Sequence, residues 1–246
     1  MLAFIGAMSL EVEEILKRMT DIEKKVISNV DFYEGKLAGI ECVVMKSGVA
    51  KVAAAISTTI LFEHFNIDGV INIGTAGGLD PRQEVLDVVI SERVVHHDID
   101  VPDNDWPKGF NQDKTCYQAD KGMLEVLKEI TKDSKERVWF GNIATGDCFI
   151  YREDQIQRIQ TDYPGALCAE MEGAAIAQVC RQYNCPFVII RSLSDITHKE
   201  NNEMTFEEQI VLLASNGMLV KRPIVIGENI ILVGFKEIEW HRLSNT

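Results

Sequence analysis

Apolar and polar positions along this 246-residue chain fall into blocks that predict strands interleaved with helices. LAFIGA, near the start, is a continuous apolar run of strand length. Ser9 behind it suits the cap of a helix reaching to about Met19, with Glu11 in its first turn. VDFYEG and GIECVVMKSG have β-rich character around Lys36 to Gly39, which predicts a hairpin. VAKVAAAISTTILFEHF is alanine-rich and nearly all apolar, so it reads as a helix buried against a sheet. GVINIGTAGGLD predicts a strand running into a glycine turn, and VLDVVISERVVHHD a further long strand. Helices are predicted at Lys121 to Thr131, in REDQIQRIQ and in MEGAAIAQVCRQYN, and strands in VWFGNIATG and PFVIIRS. From Ile99 to about Gln118 the chain is polar, proline-bearing and aperiodic, the pattern of a long loop that serves as a lid or binding loop. Strand and helix alternate throughout, as in an α/β domain built on a parallel sheet.

Composition narrows the function classes. A formal net charge of −13 opposes binding to nucleic acid or to anionic lipid. No apolar run is long enough to span a bilayer, and MLAFIGAMSLEVEE lacks a basic leader, so a cytoplasmic protein is expected. The six cysteines, Cys42, Cys116, Cys148, Cys168, Cys180 and Cys185, form no CxxC pair and read as reduced packing residues. Cys180 and Cys185 are close together, but a helix end followed by Pro186 accounts for them better than a redox role. His96, His97 and Asp98 have the chemistry of metal ligands. Adjacent strand positions face opposite sides, however, so the two imidazoles are poorly placed to share an ion.

Three carboxylates stand where apolar strand-like runs give way to turns or helices: Glu11 in GAMSLEVEEI, Glu172 in CAEMEGAAIA and Asp195 in VIIRSLSDIT. Each has a bland reading, as a favourable charge in a helix's first turn or as a cap. Their settings argue for more. Glu170 and Glu172 lie in a small, apolar segment, and Asp195 follows an apolar strand, places where a charge is costly unless a partner or ligand uses it. Ligands of α/β sheets bind at the carboxyl ends of strands, so the three are expected to converge on one cleft and perform acid/base work on a small polar molecule. The GTAGG turn suits either a phosphate cradle or a close backbone approach.

Taken in order, GAMSLEVEEI, KSGVAKVAAAISTTILFEHF, GVINIGTAGGLD, HHDID, ATGDCFI, AEMEGAAIAQVC, PFVIIRSLSD and MTFEE closely resemble the bacterial 5′-methylthioadenosine/S-adenosylhomocysteine nucleosidases, members of the purine nucleoside phosphorylase-like superfamily. The resemblance covers about residues 1–210. It implies a three-layer α/β/α fold with a mixed central sheet, a homodimer, an adenine nucleoside as the small-molecule partner, and hydrolysis of the bond between adenine and ribose with no metal or organic cofactor. By resemblance, Asp195 is the general acid toward the imidazole-ring nitrogen of adenine and Ser194 orients it. Glu11 activates water, with Arg191 in the same network. Glu172 holds the ribose hydroxyls and Met171 packs on the sugar. Phe149 stacks on adenine, the Ile150 backbone reads its edge, and Phe206 contributes to the apolar pocket for the 5′-alkylthio group. Thr75 stands where relatives usually carry Ser.

Glu11 follows the first strand, where phosphorylases of the superfamily commonly place an arginine for phosphate, and this favours water as the nucleophile. Other readings stay open: a related purine nucleosidase or phosphorylase with a different 5′ substituent, or an impaired paralogue that only binds adenine nucleosides. Residues 99–118 differ from the usual loop of the family, leaving the 5′ preference open. Residues 1–211 are expected to form the nucleosidase domain. Residues 212–246 resemble the C-terminal end of arsenate reductase-like, thioredoxin-fold proteins and predict an appended β-hairpin tail, not an independent domain.

Overall fold

A computed structural model describes residues 1–101, 106–112, 114–134, 137–197, 224–226 and 231–233. The first strand, β1 (Leu2–Gly6), leads into α1 (Ser9–Leu16). Then come β2 (Met19–Ile27), β3 (Val30–Leu37) and β4 (Ile40–Lys46), an antiparallel meander. Two-residue turns join them, Ser28–Asn29 and Ala38–Gly39, all four with positive φ, the geometry that matches strand twist in tight hairpins. The hairpin expected near Lys36 to Gly39 is therefore present. The helix expected to reach Met19 stops at Leu16, because Met19 already pairs with Leu37. Strand β2 was not anticipated. It is an edge strand whose TDIEKK stretch faces solvent, so no apolar alternation marks it.

Helix α2 (Lys51–His64) follows, then β5 (Gly69–Gly78), β6 (Val88–His96), β7 (Cys116–Gln118), α3 (Lys121–Ile130), β8 (Val138–Thr145), α4 (Glu153–Asp162), β9 (Ala166–Glu170), α5 (Gly173–Gln182) and β10 (Phe187–Ile196). The α/β fold with a mixed central sheet is as expected. β1 pairs in parallel with β4 and β5, and β5 with β10, while β10 meets β6 and β5 meets β9 antiparallel. Parallel pairs of β6 with β8 and β8 with β9 complete a ring, so β5, β10, β6, β8 and β9 close into a barrel-like unit. The core fills both sheet faces, with Phe4, Ile5, Val44, Ile71, Val89, Ile143 and Ile189 all buried.

Four local expectations change. The GTAGG segment is not a turn: it continues β5 in extended conformation. Asp195 does not follow its strand but lies inside β10, just past a register shift between Leu193 and Asp195. The end of the long loop, Cys116–Gln118, pairs with β6 as β7. Helix α2 is not wholly buried: Ala54, Ser57, Thr58 and Leu61 face the core, whereas Val52 and Ile56 are 68% and 55% exposed. Of the tail, β11 (Ile224–Ile226) and β12 (Ile231–Val233) are described and pair antiparallel, as the expected hairpin requires. Phe206 and residues 198–223 lie outside the described residues.

Candidate active site

Strand β1 ends at Gly6, and the chain turns at Ala7 and Met8 into α1. Glu11 folds back over this turn. Its Oε2 accepts from the Ala7 and Met8 N–H groups at 2.6 and 3.0 Å, and its Oε1 accepts from Thr75 N–H at 3.3 Å. Met8, not Ser9, is thus the cap position of α1, and Glu11 reaches back to satisfy the backbone donors of the turn before it. A Cβ on Gly74 would sit 2.9 Å from Glu11 Oε1, so a side chain there would force this carboxylate to shift.

On the opposite side, β9 ends at Glu170 and α5 begins at Gly173. The Glu170 carboxylate accepts from Glu172 N–H at 3.1 Å and from Gly173 N–H at 2.8 Å, and it receives the Thr145 hydroxyl. Arg191 Nη2 donates to Glu170 Oε2 at 2.5 Å and to Asn72 Oδ1 at 2.6 Å. Asn72 is itself fixed by donating to Ile5 O at 2.8 Å. Burying this ion pair is tolerable because hydrogen bonds satisfy the carboxylate as well as the charge partner does. Two residues on, the Glu172 side chain is also buried, and its Oε1 accepts from Ala50 N–H at 2.9 Å.

The third carboxylate comes from β10. Ser194 Oγ donates to Asp195 Oδ1 at 2.6 Å, and a Cβ on Gly77 would lie 3.2 Å from Asp195 Oδ2. As at Gly74, the missing side chain in β5 makes space for an acid. The glycine signature read as a turn therefore has a different cause, close approach of two carboxylates to one strand.

These pieces surround one cavity. Glu11, Thr75, Phe149, Ile150, Met171, Glu172 and Ser194 line it, together with Val49, Cys148 and Gly77. Asp195 lies directly behind Gly77 and Ser194. Arg191 is not a wall residue: it is 1% exposed and bound to Glu170 and Asn72, and from there its charge acts on Glu170, Glu172 and Glu11. Glu170 was given no role from sequence. Its setting beside Glu172 was visible, but its contacts to Thr145 and Arg191 are tertiary. His96 Nε2 lies 3.0 Å from Gln178 Oε1, while the His97 ring packs on Gly146.

The carboxylates are electrostatically unlike. Burial opposes ionisation of Glu170, but Arg191 and the Thr145 hydroxyl hold it below the ordinary range. Glu172 is pushed up to about 7 by burial and then by Glu170, against the pull of Arg191 and Ala50. Glu11 is raised by burial, with Arg191 and three backbone N–H groups opposing. Asp195 is raised by burial, countered only by the Ser194 hydroxyl. A site with one firmly ionised acid and others inclined to hold protons can both donate and accept them.

The sheet thus closes into a barrel-like unit, with the acids gathered at one cavity. The profile of the Phosphorylase superfamily matches residues 1–221, and the chain belongs to that superfamily. Within it, the similar proteins are nucleosidases. The 5′-methylthioadenosine/S-adenosylhomocysteine nucleosidase of Marinomonas sp. (strain MWYL1) is 41% identical over 229 residues, 92% of this chain and 98% of that protein. That of Geobacillus kaustophilus (strain HTA426) is 44% identical over 209 residues, 84% of this chain and 88% of its own. The crystal structure of the Neisseria meningitidis nucleosidase in complex with methylthio-immucillin-A superposes with a TM-score of 0.78 at 34% identity, covering 89% of this chain and 95% of that one. The Colwellia psychrerythraea 34H nucleosidase in complex with adenine gives 0.78 at 33% identity, covering 89% and 91%. The superfamily match extends past residue 212, and these comparisons give no support to an arsenate reductase-like origin of the tail.

Proposed function

We propose that this chain hydrolyses the N-glycosidic bond of 5′-methylthioadenosine and/or S-adenosylhomocysteine, releasing adenine and the thioribose product. The observation that carries this reading is that Glu11 and Glu172 line one cavity with Phe149 and Met171, while Asp195 lies against its wall residues Gly77 and Ser194. Adenine stacks on Phe149, with the Ile150 backbone at its edge, and the ribose lies between Met171 and Glu172. Asp195 gives its proton to the imidazole-ring nitrogen of adenine as the C–N bond breaks and its electron pair moves onto the base, which leaves neutral. The sugar passes through an oxocarbenium-like state that the ionised form of Glu172 stabilises. Water adds to the anomeric carbon and Glu11 accepts its proton. Thr75, whose N–H anchors Glu11, borders the water and sugar. Phe206 is assigned to the 5′ pocket.

Water, not phosphate, is the nucleophile. Among the described residues no lysine or arginine lines the cavity, the nearest guanidinium is committed to Glu170, and Glu11 would repel a dianion.

The chain is further assigned to a homodimer in the cytoplasm. The exposed apolar face of α2, Val52 and Ile56, runs on from Val49 at the cavity and suits a second copy. All six cysteines are unpaired, in keeping with a reducing compartment. Among the described residues no helix is long and apolar enough to cross a membrane.

Release of free adenine from methylthioadenosine, equal with and without phosphate, is the deciding assay. Asp195→Asn should abolish release while the melting temperature stays within a few degrees of the parent. Near-normal release by that variant would remove the proposed acid, and phosphate-dependent release would make the chain a phosphorylase.

A further inference from the structure

Three charged residues from three separate segments meet beside the cavity-lining residues Val49 and Cys148. Lys51 opens α2, Asp98 lies two residues past the end of β6, and Asp147 two residues past the end of β8. Lys51 Nζ donates to Asp98 Oδ1 at 2.6 Å, Asp98 Oδ2 accepts from Asp147 N–H at 2.8 Å, and Asp147 Oδ1 accepts from Lys51 N–H at 2.8 Å. Lys51 Nζ also comes within 3.7 Å of Asp147 Oδ2. Every member thus touches both others. This is not an ordinary surface pair, because the Lys51 and Asp98 side chains are only 19% and 24% exposed and two of the bonds use backbone donors. The Asp98 carboxyl is held below the usual range despite its burial, by Lys51 and by Asp147 N–H.

The neighbours of the ring are site residues. Ala50, immediately before Lys51, gives its N–H to Glu172. Phe149 and Ile150 follow Asp147 after a single intervening residue. Ala50 sits at φ 75° and ψ 166°, a conformation costly for any residue with a side chain, which persists only where the surroundings enforce it. The bond from Lys51 N–H to Asp147 is placed to enforce it.

We propose that Lys51, Asp98 and Asp147 form a clasp that positions the Phe149–Ile150 loop and the Ala50 N–H over the cavity, and so act as positioning residues for nucleoside binding. The proposal rests on the assignment of Phe149 and Ile150 to adenine and of Glu172 to ribose. Glu11 and Asp195 are held by other elements. The Lys51 N–H to Asp147 bond that holds Ala50, and through it Glu172, survives a change of the Lys51 or Asp98 side chain, so losing the Lys51–Asp98 contact affects KM and adenine affinity more than kcat.

The test uses the full chain with Lys51→Met, Asp98→Asn, the double variant, Lys51→Arg, and Phe149→Ala as a reference. Adenine binding is measured by calorimetry, alongside kcat and KM for methylthioadenosine. Each single loss should weaken adenine binding and raise KM about tenfold, with kcat within about threefold. The double variant should be no weaker than the worse single one, because the clasp opens only once. Lys51→Arg, which can still reach both carboxylates, should return to within about threefold of the parent. Unchanged KM and adenine affinity in both single variants, while Phe149→Ala weakens binding, would overturn the clasp and leave the site assignment standing. Losses that multiply in the double variant would also overturn it. If Phe149→Ala binds adenine normally, the loop's assignment fails and the clasp falls with it.

Discussion

Glu172→Gln should stabilise the folded protein at alkaline pH while it destroys activity. The Glu172 carboxyl titrates near 7 when folded, against an ordinary 4.5, chiefly because burial and the neighbouring Glu170 disfavour its charge. Below about pH 4.5 it is neutral in both states and carries no penalty. Between the two values the unfolded chain releases the proton and the folded chain keeps it, so stability falls as pH rises by up to about 1.4 kcal/mol per unit. Above about 7 the loss is complete, on the order of 3 kcal/mol at most. Glutamine removes the charge and keeps an oxygen for the Ala50 N–H. Urea unfolding of parent and variant at pH 5 and pH 8 reads this directly: the variant's advantage should grow by about 2 kcal/mol between them. An advantage independent of pH, or a parent more stable than the variant at pH 8, would refute the electrostatic account of this residue.

Two further substitutions probe the backbone. Gly74→Ala places a Cβ 2.9 Å from Glu11 Oε1 and 3.4 Å from the Arg191 guanidinium, so kcat should fall by about a hundredfold, and unchanged turnover would show that Glu11 is not held by that gap. Ala50→Gly should raise stability by about 1 kcal/mol in urea unfolding, since φ 75° is unstrained for glycine, while the N–H to Glu172 and hence kcat are retained. A lower stability would mean that Ala50 is not strained.

The helices α3, α4 and α5 and the strands β1, β6 and β8 announce themselves in the chain because each buries a regular apolar face. The three acids are visible for the complementary reason, a charge abutting such a face. What stays hidden is whatever depends on partners distant in sequence. β2 is too polar and β9 too short to carry a period, and both exist through their pairing. The closure of β10 onto β5 joins segments more than a hundred residues apart. Glu170 and Glu172 look alike in the chain and both reach the cavity, yet only Glu170 is held in an ion pair, a difference made by Arg191, Asn72 and Thr145. The glycines of β5 mislead by local rules, since their usual meaning is a bend.

Those glycines carry a consequence for how such a catalyst can change. The acids occupy volume that β5 vacates, so the strand and its acids are two halves of a single mould. A mutation at position 74 or 77 is not confined to β5, because a side chain there crowds a carboxylate from another segment, Glu11 at 74 and Asp195 at 77. New chemistry on this scaffold is therefore easier to reach by altering loops at the cavity mouth than by recasting its floor.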